Sequence, residues 1–334
     1  MKRIKFNKVG YDPQIDYIKG LCILFVIWTH CISRYELGIM LFPYWGDTAV
    51  PIFLLIQVFH YYKKGTDFRM PSTFKLWKRI LLPFIIIIAL MFLSQFFIYY
   101  DVTGGAFSPS LYWDKRGPGS YYIFIYLELA FMIPLFAPFF KRIPIKWLFV
   151  IFVILSQLIE FVASITHCPD NIYRITFFRY TFLIFIGYLL ASRGLVLNKC
   201  TFFGGFISAI FIYIFTYTTI NLEPLFCTHL DLWPLCHWIC YIYIAYLFLA
   251  FLKYTHAKLS RFPAITSYIE RIGRYSYEIY LIQIFYYATI SIYIGNTLAF
   301  IRVYPVQRIS YFILSSIICV IPIVYLKCRR KMHT

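Results

Sequence analysis

Acidic side chains are scarce in this chain: 14 Asp and Glu among 334 residues, against 32 Lys and Arg, with charged residues of both signs making up only 14%. A soluble domain devotes about a quarter of its residues to charge, so a fully solvated surface is excluded. The nine cysteines form neither a CxxC pair nor any metal-ligand spacing, and no metal site is expected. Coiled-coil heptads, low-complexity tracts and a repeat of one half in the other are also missing. One integral domain over residues 1–334 is the simplest organisation, and the paired halves of a repeat-type transporter are not visible.

In their place stand apolar and aromatic residues, 61% hydrophobic and 22% Phe, Trp and Tyr. Runs such as ILLPFIIIIALMFLSQFFIYY (Ile80 to Tyr100) contain about 20 apolar residues, enough to cross the hydrocarbon of a bilayer. Spans are predicted at 15–33, 49–62, 80–100, 121–140, 145–165, 175–191, 202–220, 233–252, 275–294 and 310–326. That makes an all-α integral membrane protein of about ten helices. The second run is short and either extends back into Phe42 to Trp45 or is tilted and partly shielded by its neighbours.

The net charge of +18 does not imply a nucleic-acid partner, because the basic residues lie in short clusters between apolar runs. With the amino terminus inside, 24 Lys and Arg fall on the inner side and seven on the outer side, with Lys19 left within the first helix. The positive-inside rule then puts both termini in the cytoplasm. The initial MKRIKFNK resembles a signal-peptide start, but Asp16 and Lys19 interrupt the apolar run after it and no small-residue cleavage site appears, so it is expected to be retained. The outer loops 101–120 and 221–237 mix acids, Pro, Gly and aromatics. Tyr112, Trp113 and Trp233 there serve either as membrane anchors or as sugar-stacking platforms, and Cys227 and Cys236 are either two thiols or a disulfide.

Ionisable groups inside a span are costly and usually functional. In the first helix, IDYIKGLCILFVIWTH (Ile15 to His30), Lys19 and His30 are eleven residues apart. That is three turns plus about 20°, so both lie on one stripe, roughly 16 Å apart. Asp16 sits three residues before Lys19 and can pair with it. Lys19 either snorkels to the inner headgroups or turns inward. Glu128, inside the fourth helix, can orient His30 or pair with a cation, and Glu278 in the ninth has the same two readings. Glu160 and Arg179 are expected near outer ends, where they can pair with each other.

The first-helix stretch resembles membrane acyltransferase family 3, the O-acyltransferases of bacterial surface glycans, which carry a basic residue separated by ten residues from a histidine. Here these are Lys19 and His30, with lysine where many members have arginine. VPIFLLIQVFHYYKKG (Val50 to Gly65) is similar to the family's second helix, with Val58 where many have glycine. KRILLPF (Lys78 to Phe84) resembles the start of its third, and GPGSYYIFIYLELAFMIPLF (Gly117 to Phe136) the opening of its fourth. IGRYSYEIYLIQIF (Ile272 to Phe285) is similar to a late helix that often ends in histidine, a position held here by Gln283.

The resemblance implies acyl transfer in a bacterial cytoplasmic membrane. The cosubstrate would be acyl-CoA, acetyl-CoA first among them, with no bound cofactor, and the acceptor a hydroxyl of a cell-surface polysaccharide or lipid-linked saccharide. An imidazole is suited to taking the hydroxyl proton, or to carrying the acyl group itself, which makes His30 the candidate catalytic residue with Glu128 beside it. Lys19, Lys78 and Arg79 would hold the polyanionic donor, and Asp16, Glu278 and Gln283 would support the site. The basic cluster Lys63, Lys64, Arg69 and Lys75 either adds to that field or contacts lipid headgroups. A polysaccharide or lipid-linked-intermediate exporter is the competing class. A non-catalytic scaffold leaves Lys19, His30 and Glu128 unexplained.

Overall fold

The computed structural model describes residues 12–32, 40–63, 72–103, 119–193, 197–218, 226–227, 237–255, 261–291, 294, 298 and 304–332. Among these residues all regular structure is helical, with no strand. This follows from the solvent, since a chain in hydrocarbon must satisfy its backbone within each segment.

The principal helices are α1 (Pro13–Thr29), α2 (Ala49–Lys63), α3 (Leu82–Thr103), α4 (Tyr122–Arg142), α5 (Ile145–Ile165), α6 (Thr181–Arg193), α7 (Lys199–Tyr217), α8 (Cys240–Ala250), α9 (Pro263–Arg274), α10 (Ser276–Thr289) and α11 (Tyr304–Met332). Among the described residues six helices are long and apolar enough to cross a membrane: Phe42–Lys63, Thr73–Ser94, Tyr122–Arg142, Ile145–Ile165, Lys199–Tyr217 and Val306–Leu326. The short second run therefore does extend back to Phe42. Two shorter apolar helices cover Phe177–Ser192 and Cys240–Tyr254. The two remaining expected spans fall on α1 and α10, of 17 and 14 residues.

Local chemistry starts these helices where the sequence permits. The Asp12 side chain caps α1 by accepting from Gln14 N–H (3.2 Å), Pro13 occupies the first turn, and Asp16 complements the positive helix end. Asn198 and Thr201 form a reciprocal capping box at the start of α7. Lys63, closing α2, reaches back to Asp12 (3.3 Å) and ties the start of α1 to the end of α2.

Two large apolar clusters make up most of the interior, and α1 belongs to both. Ile15, Ile18 and Cys22 pack with α2, α4, α6 and α8, while Ile23, Ile27 and Cys31 pack with α3, α10 and α11. Lipid offers no hydrophobic drive between helices, so close approach decides which pairs hold. The closest is α1 with α9. A Cβ on Gly273 would run into the Asp16 carbonyl, and one on Gly20 into the Ile269 carbonyl.

Helix α9 was not among the expected spans. It is short and amphipathic, with Phe262, Ile265 and Tyr268 exposed on one side, Thr266, Ile272 and Gly273 buried on the other, and Arg271 and Arg274 near its end. That pattern suits a helix lying at the membrane surface. It clamps α1 at the level of Asp16 and Gly20.

Candidate active site

Where the two apolar clusters meet, α1, α2, α4, α10 and the start of α3 leave a cavity of about 720 Å³. On α1 it is lined by Lys19, Ile23 and Val26, the i, i+4, i+7 stripe of one helix face. From α2 come Gln57, His60 and Tyr61, and from the lead-in to α3 Leu76, Arg79 and Ile80. Across from these lie Tyr122 and Tyr126 of α4, Arg274 at the end of α9, and Ser276, Tyr277, Glu278 and Tyr280 of α10.

Each wall has a local cause. Arg79 sits in a π-helical turn, Trp77–Leu81, a distortion that tends to mark functional positions. The Tyr277 hydroxyl donates to the Ile80 carbonyl in that turn (2.5 Å) and fixes it against α10. Pro134 inside α4 has no N–H for the Ala130 carbonyl, and Ala130 faces the cavity. Gln57 donates its amide N–H to the Tyr126 carbonyl (2.9 Å), which leaves its side-chain oxygen buried on the cavity wall without a partner.

The cavity is basic. Lys19 pairs with Asp16 at 2.5 Å, the two side chains being 25% and 10% exposed. Arg79 and Arg274 are exposed at the mouth, and Glu278, in the first turn of α10, is the acid among the lining residues. Three permanent cations and a histidine line this hollow, with five tyrosines in its walls, a lining chemically suited to an anionic group and a flat ring.

Sequence reasoning singled out Lys19, Arg79 and Glu278, and these three line the same cavity. Lys78 is exposed beside it and is not a lining residue. Asp16 acts through Lys19. His30 lies outside the lined volume, four residues beyond Val26, about 6 Å further along α1. It is half-buried at the end of the helix, with its ring 5.1 Å from that of Tyr287. The Tyr287 hydroxyl donates to the Ile27 carbonyl (2.9 Å) and lies 3.2 Å from Cys31 Sγ.

Glu128 is placed elsewhere. Two residues from Ala130, it faces the other side of α4, where its carboxylate accepts the Phe177 N–H (2.5 Å) and caps the turn leading into α6. The structure does not bring it to the cavity or to the His30 ring contact. Glu160 lies with its carboxylate 3.8 Å from His237 Nε2, both buried. Lys64, Arg69, Tyr112, Trp113, Trp233 and Cys236 lie outside the described residues. Cys227 hydrogen-bonds the Glu160 carbonyl (2.9 Å).

His60 and Arg274 were not singled out from the sequence. The signal for His60 was its i+3 spacing from Gln57 on a helix that ends in Lys63. Arg274 carried none beyond its place in the IGRYSY stretch, because only the docking of α9 on α1 brings it over Lys19.

A multi-pass helical membrane protein with a basic, tyrosine-lined cavity at one end of its bundle is the class these features define. Residues 12–326 match the acyltransferase domain family, acyltransferase family 3, so the chain belongs to that family and is a membrane acyltransferase. No curated protein and no solved structure matches it.

Proposed function

We propose that this acyltransferase takes an acyl group from acyl-CoA, acetyl-CoA in the first instance, and transfers it to a hydroxyl of a cell-surface polysaccharide or lipid-linked saccharide in a bacterial cytoplasmic membrane. With ten spans and both termini inside, the cavity mouth would open at the cytoplasmic face, where the donor is made. The observation that carries the reading is the α1 stripe: Lys19, Ile23 and Val26 line a polycationic cavity, and the next residue on that stripe is His30.

Lys19, Arg79 and Arg274 would hold the donor's phosphates by charge-assisted hydrogen bonds. The tyrosines offer rings for the adenine, and the Gln57 oxygen an acceptor for an amide N–H of the pantetheine arm. The thioester then points along α1 toward His30. There the imidazole takes the proton of the acceptor hydroxyl as its oxygen attacks the thioester carbon, or accepts the acyl group before passing it on. Lys78 and Lys75 add to the field that draws the anion in, and Asp16 and Glu278 hold the cations in place.

The test is label transfer from radiolabelled acetyl-CoA into the glycan and lipid fractions of membranes containing the protein. Wild type should transfer label and His30→Ala should lose it by about 10²–10⁴-fold, the usual contribution of a positioned acid or base. Label transfer unaffected by His30→Ala would refute the mechanism.

A further inference from the structure

The cavity ends at Val26 and the proposed base stands one turn beyond it, so something must receive the thioester in the interval. Helix α10 runs beside α1 across this gap. Tyr280 lines the cavity, and Tyr287, seven residues on, touches the His30 ring. Between them on the same side of α10 is Gln283, about 4.5 Å along the axis from Tyr280 and about 6 Å from Tyr287.

Gln283 is completely buried, and neither its amide nitrogen nor its carbonyl oxygen has a hydrogen-bond partner. A buried amide with both ends unmade is rare, because desolvation is uncompensated and leucine would fit the same volume at less cost. The cost is accounted for if a ligand makes the missing bond. Any ligand group at that level, between a cavity for a polyanion and an imidazole, must be the reacting end of what the cavity holds.

We propose that the Gln283 side-chain N–H donates a hydrogen bond to the carbonyl oxygen of the donor thioester and stabilises the negative charge that develops there. The proposal rests on the acyl-CoA reading above. The acceptor oxygen bonds to the thioester carbon, the carbonyl π pair moves onto the oxygen held by Gln283, and the hydroxyl proton goes to His30. On collapse the carbon–sulfur bond breaks, the proton passes from His30 to the departing sulfur, and the products are the ester and free CoA thiol. A donor aimed at the site of developing charge acts in the transition state more than in the ground state.

The experiment compares full-length wild type, Gln283→Leu and Gln283→Met in membranes, reading label transfer from radiolabelled acetyl-CoA and the thermal unfolding midpoint of the purified proteins. Leucine removes the donor and relieves the unpaired amide, so its midpoint should equal or exceed that of wild type. Its kcat should fall about 10²–10³-fold, with KM for acetyl-CoA unchanged, the pattern of an interaction made only in the transition state. Gln283→Met keeps the length of the side chain without any hydrogen-bond donor and should be equally impaired. Undiminished kcat in either variant, or a loss no larger than the loss of folded protein, overturns the assignment of Gln283. Absence of transfer by wild type itself overturns the acyl-CoA reading and this one together.

Discussion

Replacing Lys19 by methionine separates two things that Lys19 does in this structure. Its ammonium pairs with Asp16 at 2.5 Å, with 25% and 10% of the two side chains exposed, and it also lines the cavity. Removing the cation strands the Asp16 carboxylate. A fully buried pair broken this way costs about 3–5 kcal/mol, and an exposed pair about 0.2–1 kcal/mol. Asp16 also sits in the first turn of α1, where the helix end favours an anion. The expected destabilisation is therefore intermediate, about 1–2 kcal/mol. A charge-assisted hydrogen bond to a donor phosphate contributes about 1.5–3 kcal/mol. Discounted for solvent at a quarter-exposed amine, this predicts about a tenfold rise in KM for acetyl-CoA. The assay pairs thermal unfolding of purified protein with initial rates over a donor series, for Lys19→Met and for Asp16→Asn/Lys19→Met. The double variant should recover the unfolding midpoint and keep the raised KM. If it restores both, Lys19 only neutralises Asp16, and donor binding by Lys19 is refuted.

Arg79→Ala and Arg274→Ala should each raise KM for acetyl-CoA at low salt and progressively less as salt is added, because both guanidinium groups are exposed and screened; a KM independent of salt would contradict the electrostatic role. Glu128→Ala should destabilise by about 1.5–3 kcal/mol through loss of the charge-assisted bond to Phe177 N–H, while Glu128→Gln, which keeps an acceptor, should recover most of that stability; kcat per folded molecule should be unchanged in both, and a large fall in it would return Glu128 to the chemistry. Gly273→Ala should cost about 1–3 kcal/mol by forcing α9 off α1, measured as a lowered unfolding midpoint, and should also raise KM, since Arg274 moves with α9.

The span pattern was legible because the bilayer imposes a length, and among the described residues six helices are long and apolar enough to cross it. The α1 stripe was legible for a similar reason: a single helix has a known period, so the shared face of Lys19 and His30 needs no tertiary information, whereas the cavity follows that face only as far as Val26. Partners across helices are different. Glu128 reads from sequence as a costly intramembrane acid in need of a cation, yet its partner is the Phe177 backbone N–H 49 residues away, and a main-chain donor leaves no mark in composition. Helix α9 was hidden within a charged loop because its large apolar residues, Ile265, Tyr268, Ile269 and Ile272, are too few to register as hydrophobic length. Only their spacing betrays it. With α9 missed, Arg274 could not be placed, and the cavity appeared to have fewer cations than it has.

The packing of α1 is compatible with the proposal that donor binding and chemistry share one element. Its residues Ile15, Ile18 and Cys22 are held by one apolar cluster and Ile23, Ile27 and Cys31 by the other, so its polar stripe runs along the seam between them. A polar group on any other helix face would sit in packed side chains or in lipid, and both carry a desolvation cost. At the seam Lys19 is compensated by Asp16, and the stripe stays open as far as Val26. Glycines at the crossing let α9 press against α1, so the backbone carrying Lys19 cannot shift without moving Arg274. On the proposed function, a polyanion bound at that end would be mechanically tied to the helix that carries His30 at the other.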